Sequence, residues 1–196
     1  MSTASTQHYD VIIAGARCAG AATALLLARQ GARVLVLDKS RYGTDTLSTH
    51  ALMRGAVLQL HRWGLLPAVA GAGTPPVRST TFHLADAVTT IPVKPRHGVE
   101  ALYAPRRSVL DAILAGAARG AGADVRFGAT VTGLRWNRAG RVTGITGRAG
   151  SAPLEASADL IIGADGRRSA VALPVAPMPS TATRPNATSF RCACSA

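Results

Sequence analysis

A glycine-bearing turn, Gly15-Ala16-Arg17-Cys18-Ala19-Gly20, directly follows the apolar run Tyr9-Asp-Val-Ile-Ile-Ala14. Glycines in such a turn serve phosphate binding in three ways. The first closes the tight turn, the second lets backbone approach a pyrophosphate, and the third seats a helix against a strand. Gly15 and Gly20 fill the first and third places, while Arg17 stands where the second glycine is expected. Its Cβ crowds the approach, yet its guanidinium can add a charge-assisted bond to a phosphate. The N–H groups of Ala16, Arg17, Cys18 and Ala19 are the ones such a turn directs at an anion, with the helix dipole behind them. Asp38 closes the next apolar run, Arg33-Val-Leu-Val-Leu-Asp38, near the roughly 20-residue spacing of a carboxylate that holds a ribose hydroxyl. The Cys18 thiol lies near a helix start, where its pKa can fall, but no second cysteine or base accompanies it and it reads as chemically inert.

The elements that must position these groups follow from periodicity. Residues 9–14 and 33–38 read as buried strands, and Gly20 to Arg29 as a helix closed by Gly31, which together make a βαβ unit. Thr49 to Trp63 carries Leu52, Val57, Leu60 and Trp63 near helical spacing, which predicts a second helix. Pro75-Pro76 opens an extended region to about Val93. Arg107 to Ala121 reads as a third helix, ended by Gly120 and Gly122. From Asp124 the pattern changes to short strands between glycine-bearing turns: 125–127, 130–136, 142–148 and 154–158. Asp159-Leu-Ile-Ile162 reads as one more buried strand, running into Gly163-Ala-Asp165-Gly166.

Composition narrows the class. The chain has 196 residues, 22 Lys+Arg against 10 Asp+Glu, and a net charge of +12. The cations are almost all arginines, scattered singly or in pairs, so a nucleic-acid footprint is not expected; attraction to an anionic small cofactor explains part of the excess. No apolar run approaches the roughly 20 residues of a membrane span. The amino terminus lacks a secretory signal, and three cysteines cannot make a disulfide framework, so the expected setting is the cytoplasm. Cys192 and Cys194 are too few for a metal site, and His8, His50, His61, His83 and His97 have no ligand spacing; no metal is expected.

Together, the Gly15–Gly20 turn, the Leu-Asp-Lys that closes the second strand and the segment Asp45-Thr-Leu-Ser-Thr-His50 resemble the start of an FAD-dependent oxidoreductase. The superfamily is that of para-hydroxybenzoate hydroxylase, with its ring monooxygenases, halogenases and geranylgeranyl reductases. Branches that begin Gly-x-Arg-x-x-Gly are familiar in it. Tyr103-Ala-Pro-Arg-Arg107-Ser-Val-Leu110 resembles its Arg-x-x-Leu helix start, and Leu160-Ile-Ile-Gly-Ala-Asp165-Gly166-Arg-Arg its Asp-Gly motif. The likeness covers about residues 9 to 172.

The resemblance implies an α/β, Rossmann-like FAD-binding domain of the glutathione reductase type, with a β-meander covering the first sheet. Residues 1–172 would form that domain, with 76–104 an extended insertion toward the substrate side and 173–196 an irregular or disordered tail. Asp38 would hold the adenosine ribose with Lys39 nearby, and the backbone around Val131 would lie by the adenine. Thr49 and His50 would lie toward the isoalloxazine, Arg107 would reach the phosphates, and Asp165-Gly166 would lie near the pyrophosphate and the pyridine-nucleotide path. The implied activity is monooxygenase-like, with NAD(P)H reducing the flavin and a small organic substrate being oxidised. Family members run to about twice this length and carry a later Gly-Asp motif that closes over the flavin. That motif is not found here, so the chain is expected to be impaired as an enzyme. A non-catalytic FAD-binding fragment and a nicotinamide-only reductase are the alternatives; the meander speaks against the second. No catalytic side chain is assigned, because in such enzymes the flavin carries the chemistry.

Overall fold

The computed structural model describes residues 7–46 and 51–175. In chain order the elements are β1 (His8–Ala14), α1 (Cys18–Arg29), β2 (Val34–Asp38), α2 (Arg54–Arg62) and α3 (Leu66–Gly71). They continue with β3 (Pro76–Val77), β4 (Ser79–Leu84), β5 (Ala87–Pro92), β6 (Leu102–Tyr103) and α4 (Arg107–Gly120). Last come β7 (Asp124–Phe127), β8 (Ala129–Trp136), β9 (Val142–Ala149), β10 (Ala152–Gly163) and the single turn α5 (Ala172–Val175). The chain divides into two units, residues 7–44 with 114–175, and residues 45–113.

The larger unit is built on a six-stranded sheet of order β7-β2-β1-β10-β9-β8. β7, β2, β1 and β10 are parallel, and β10, β9 and β8 continue as an antiparallel meander. Apolar residues on both faces of β1 and β2 are buried, as parallel strands require. Ala21, Ala24, Leu25 and Ala28 form the buried stripe of α1, which packs on β1 and β2. Ile12, Ala14, Leu35 and Leu37 join Ala129, Val131, Ile145, Ala156 and Ala158 in one core cluster. The α/β class expected from the sequence is therefore present, with a mainly parallel sheet, but the meander expected to cover the first sheet instead extends it, because β10 pairs with both β1 and β9.

Two further sequence expectations are corrected here. The expected strands 154–158 and 159–162 are one continuous strand, β10, whose first half pairs antiparallel with β9 and whose second half pairs parallel with β1. Nor is its end fully buried: Leu160 is 52% exposed, and Ile161 and Ile162 are half-buried. The helix expected from Thr49 begins instead at Arg54. Leu52 donates its N–H to the Tyr103 carbonyl at 2.6 Å, and Met53 is extended (ψ 163°), so a helical start upstream is blocked. Gly64, at φ +76°, ends α2, and α3 follows with a proline in its first turn, an element that the periodicity missed.

In the smaller unit, β4 pairs with β5 and β3 with β6 as two short ribbons. Arg54 donates to the Val99 and Lys94 carbonyls there, tying α2 to the turn at 96–99. Among the described residues no helix is long and apolar enough to cross a membrane, and no cluster of possible metal ligands occurs.

One polar network in the larger unit sets a pH dependence. The Tyr9 hydroxyl donates to Asp124 Oδ2 at 2.9 Å, and Arg126 pairs with the same carboxylate. The guanidinium bonds hold the Asp124 carboxyl below its ordinary value, while burial and then the Asp124 bond push the Tyr9 phenol up to about 12. A phenol with a raised folded pKa stabilises fully below its unfolded value near 10 and loses that contribution as pH rises to about 12. Melting curves between pH 9 and 11.5 should show wild-type stability falling on this limb and Tyr9→Phe falling less. Parallel curves for the two proteins would refute the coupling.

Candidate functional site

The site forms where β1, β2 and β10 end side by side. Gly15 adopts φ +100°, a conformation that side chains strongly disfavour, and its N–H donates to the Leu37 carbonyl at 2.7 Å. A Cβ built on Gly15 would overlap the Ala164 carbonyl oxygen and lie 3.0 Å from the Asp165 nitrogen. One built on Gly20 would overlap the Gly15 carbonyl oxygen and lie 3.3 Å from the Ala164 Cβ. The two glycines thus admit both the close passage of α1 over the turn and the approach of the 164–165 segment. Ala164 donates its N–H to the Ala14 carbonyl at 2.7 Å, which completes the junction.

Arg17 precedes the first turn of α1 with φ −83° and ψ −171°, ordinary extended geometry that needs no glycine. Its guanidinium reaches Thr44 Oγ1 at 3.4 Å, leaning toward the loop after β2. Cys18 opens α1 half-buried and Ala19 is exposed, so this helix start, whose first N–H groups lack intrahelical acceptors, faces outward.

Asp38 is buried and heavily engaged. Its Oδ2 accepts the Ala16 N–H at 2.7 Å, and its Oδ1 accepts the Ser40 N–H at 2.8 Å and the Ser40 hydroxyl at 2.5 Å. The carboxylate therefore ties the end of β2 to the phosphate-type turn. Sequence reasoning missed Ser40, although an acid followed two residues later by serine is a common local hydrogen-bonding pattern. Lys39 between them is exposed. Alongside, Arg119 lies 5.4 Å from the ring centres of both Tyr42 and Phe127, which meet edge to face. Val131 is packed in the core cluster with Leu35 and Leu37, so it can offer a ligand its backbone and not its side chain.

Beyond β10, Asp165 Oδ2 accepts the Ala170 N–H at 2.6 Å, whereas Asp165 Oδ1 is buried with no hydrogen-bond partner. Gly166 turns at φ +84° with open space where a Cβ would stand. The structure thus brings Gly15, Ala16, Gly20, Asp38 and Asp165 together. Arg107 belongs to the smaller unit, where it pairs with Asp111 at 3.1 Å. In that unit Asp45 accepts from the Arg106 guanidinium and from the Ser108 N–H at 3.2 Å, so it caps α4; the arginine bond holds its carboxyl below the ordinary range. Thr49 and His50 lie outside the described residues, as do residues 176–196 of the tail.

The family described as an FAD binding domain matches residues 8–192. Squalene epoxidase of Schizosaccharomyces pombe is 37% identical over 67 residues, which are 34% of this chain and 15% of that protein. Anhydrotetracycline hydroxylase OxyS from Streptomyces rimosus superposes with a TM-score of 0.68 at 28% identity, over 85% of this chain and 33% of that one. A PqsL variant from P. aeruginosa superposes with a TM-score of 0.75 at 18% identity, over 91% of this chain and 49% of that one. The chain spans less than half of each of these relatives.

The residues present fit such a cofactor. The glycine junction is closed to any Cβ from behind, as a pyrophosphate cradle needs. The unpartnered Asp165 Oδ1 is a buried acceptor that a hydroxyl would satisfy, and FAD carries hydroxyls on both its ribityl chain and its adenosine ribose.

Proposed function

Since this chain belongs to the FAD-binding-domain family of para-hydroxybenzoate hydroxylase-like flavoenzymes, we propose that it holds FAD across the ends of β1, β2 and β10 for a monooxygenase-like oxidation of a small organic substrate, with NAD(P)H as the reductant. The observation that carries this reading is the buried, unpartnered Asp165 Oδ1 beside the Gly15–Gly20 junction. Asp38 takes the adenosine ribose, and the N–H groups at the start of α1 face the pyrophosphate, the Ala16 N–H being held by Asp38. Arg17 and Lys39 supply positive charge toward the phosphates, and the net charge of +12 favours capture of an anionic cofactor. Asp165 then orients the ribityl hydroxyl next to the pyrophosphate, with Gly166 leaving room beside it, while the backbone at Val131 borders the adenine. When bound, FAD supplies the redox chemistry; the chain's own groups bind and orient it.

Asp165→Ala distinguishes the roles. It should weaken both FAD and FMN by about tenfold or more in fluorescence titrations, because the ribityl chain is common to both and the lost bond is to a charged group. Unchanged affinity for both flavins would sink the assignment. NADPH and NADH oxidation by the FAD-loaded chain tests the reductant, and no flavin-dependent oxidation of either would overturn that part.

A further inference from the structure

We infer that Asp38 offers an incoming ribose a single acceptor position, on Oδ2, and that Ser40 is the positioning residue that restricts it to one. The inference rests on the FAD reading above. A carboxylate has about four acceptor positions, two on each oxygen. Three are already taken inside the protein. Oδ1 accepts both the N–H and the hydroxyl of Ser40, at 2.8 and 2.5 Å, and Oδ2 accepts the Ala16 N–H at 2.7 Å. The one position left is the second on Oδ2.

Ser40 cannot easily withdraw its share. Its carbonyl accepts the Gly128 N–H at 2.9 Å, which pins its backbone to the turn between β7 and β8. Asp38 itself pairs in register with Phe127 of β7. The carboxylate is therefore held from two directions, by β2–β7 pairing and by the Ser40 segment. Only 7% of Asp38 is exposed, so it has little freedom to rotate toward a ligand. A ribose presents two neighbouring hydroxyls, and a carboxylate with both oxygens open would take both. This carboxylate takes one, through the oxygen that also anchors Ala16 of the phosphate turn. Ribose capture and turn geometry are thereby read by the same atom.

The test uses the full chain and three ligands: FAD and its two analogues lacking either the 2′- or the 3′-hydroxyl of the adenosine ribose, titrated by flavin fluorescence. One analogue should bind about tenfold or more weakly than FAD, the loss expected for a hydrogen bond to a charged group, and the other within about twofold. Ser40→Ala opens a position on Oδ1, so both analogues should then bind more weakly than FAD. Ser40→Thr keeps the hydroxyl and should restore the asymmetry, a pattern that a merely structural serine would not produce. Equal effects of the two analogues on the wild-type chain, large or small, overturn the inference. So does an asymmetry that survives Ser40→Ala unchanged. If FAD itself fails to bind the wild-type chain, the FAD reading falls and takes the inference with it.

Discussion

Gly20→Ala should cost this domain about 3 kcal/mol or more, at the upper end of what overpacking does in a tight core. The added methyl would overlap the Gly15 carbonyl oxygen, which is backbone held in a turn at φ +100° and cannot step aside like a flexible side chain. Room could be made only by lifting the first turn of α1 off β1, and that would expose Ala21, Ala24 and Leu25. Against a typical domain stability of about 5–15 kcal/mol this is a large fraction. Gly31→Ala is the informative comparison. Gly31 has φ +85° but nothing within 4 Å of where a Cβ would stand, so it carries only the left-handed penalty of about 1–2 kcal/mol. Thermal unfolding followed by far-ultraviolet circular dichroism should rank Gly20→Ala well below Gly31→Ala, with flavin retention lost in the first and kept in the second. The reverse ranking would show that the junction is looser than its geometry. Gly15→Val combines both penalties, because its backbone is left-handed and its Cβ would overlap the Ala164 carbonyl; it should abolish flavin retention by unfolding the junction.

The second large effect is expected at Asp38. Removing its carboxylate strands the Ala16 N–H, the Ser40 N–H and the Ser40 hydroxyl. Each bond to a charged group is worth about 1.5–3 kcal/mol, and because the three share one acceptor and the hydroxyl can turn to another partner, the joint cost is set at about 3 kcal/mol. Asp38→Ala should therefore lower the melting temperature of the flavin-free chain and weaken FAD further through the lost ribose bond. FMN, which lacks the adenosine ribose, should weaken less than FAD. A flavin-free melting temperature equal to wild type would mean that the internal bonds carry no stability. Equal losses for FAD and FMN would mean that the ribose contact is absent.

Much of the architecture was legible in the residues because it is written locally. β1, α1 and β2 follow from two short apolar runs, a stretch of good helix formers and a glycine at the helix end. Strands β7, β8 and β9 show as short strands separated by glycine-bearing turns, although only β8 and β9 join β10 in the meander while β7 pairs parallel with β2. Where local signals misled, a through-space contact was responsible. Leu52 keeps helical spacing with Val57, yet its N–H is claimed by Tyr103, so the helix starts later. Asp159 looked like a break between strands, yet β10 runs through it because its two halves pair with different neighbours, β9 and β1.

The sequence by itself determined the βαβ unit, the kind of turn at Gly15–Gly20 and the presence of a carboxylate at the end of β2, since sterics, periodicity and turn chemistry act over a few residues. Only the tertiary structure decided what those groups touch. That Ala164 and Asp165 close over Gly15 and Gly20 could not be read from either motif, because the segments are distant in the chain and their contact leaves no periodic trace. The three internal donors on Asp38 were equally hidden: the residue types place a carboxylate at the end of β2, but the number of its acceptor positions left open depends on which N–H and hydroxyl groups the fold turns toward it.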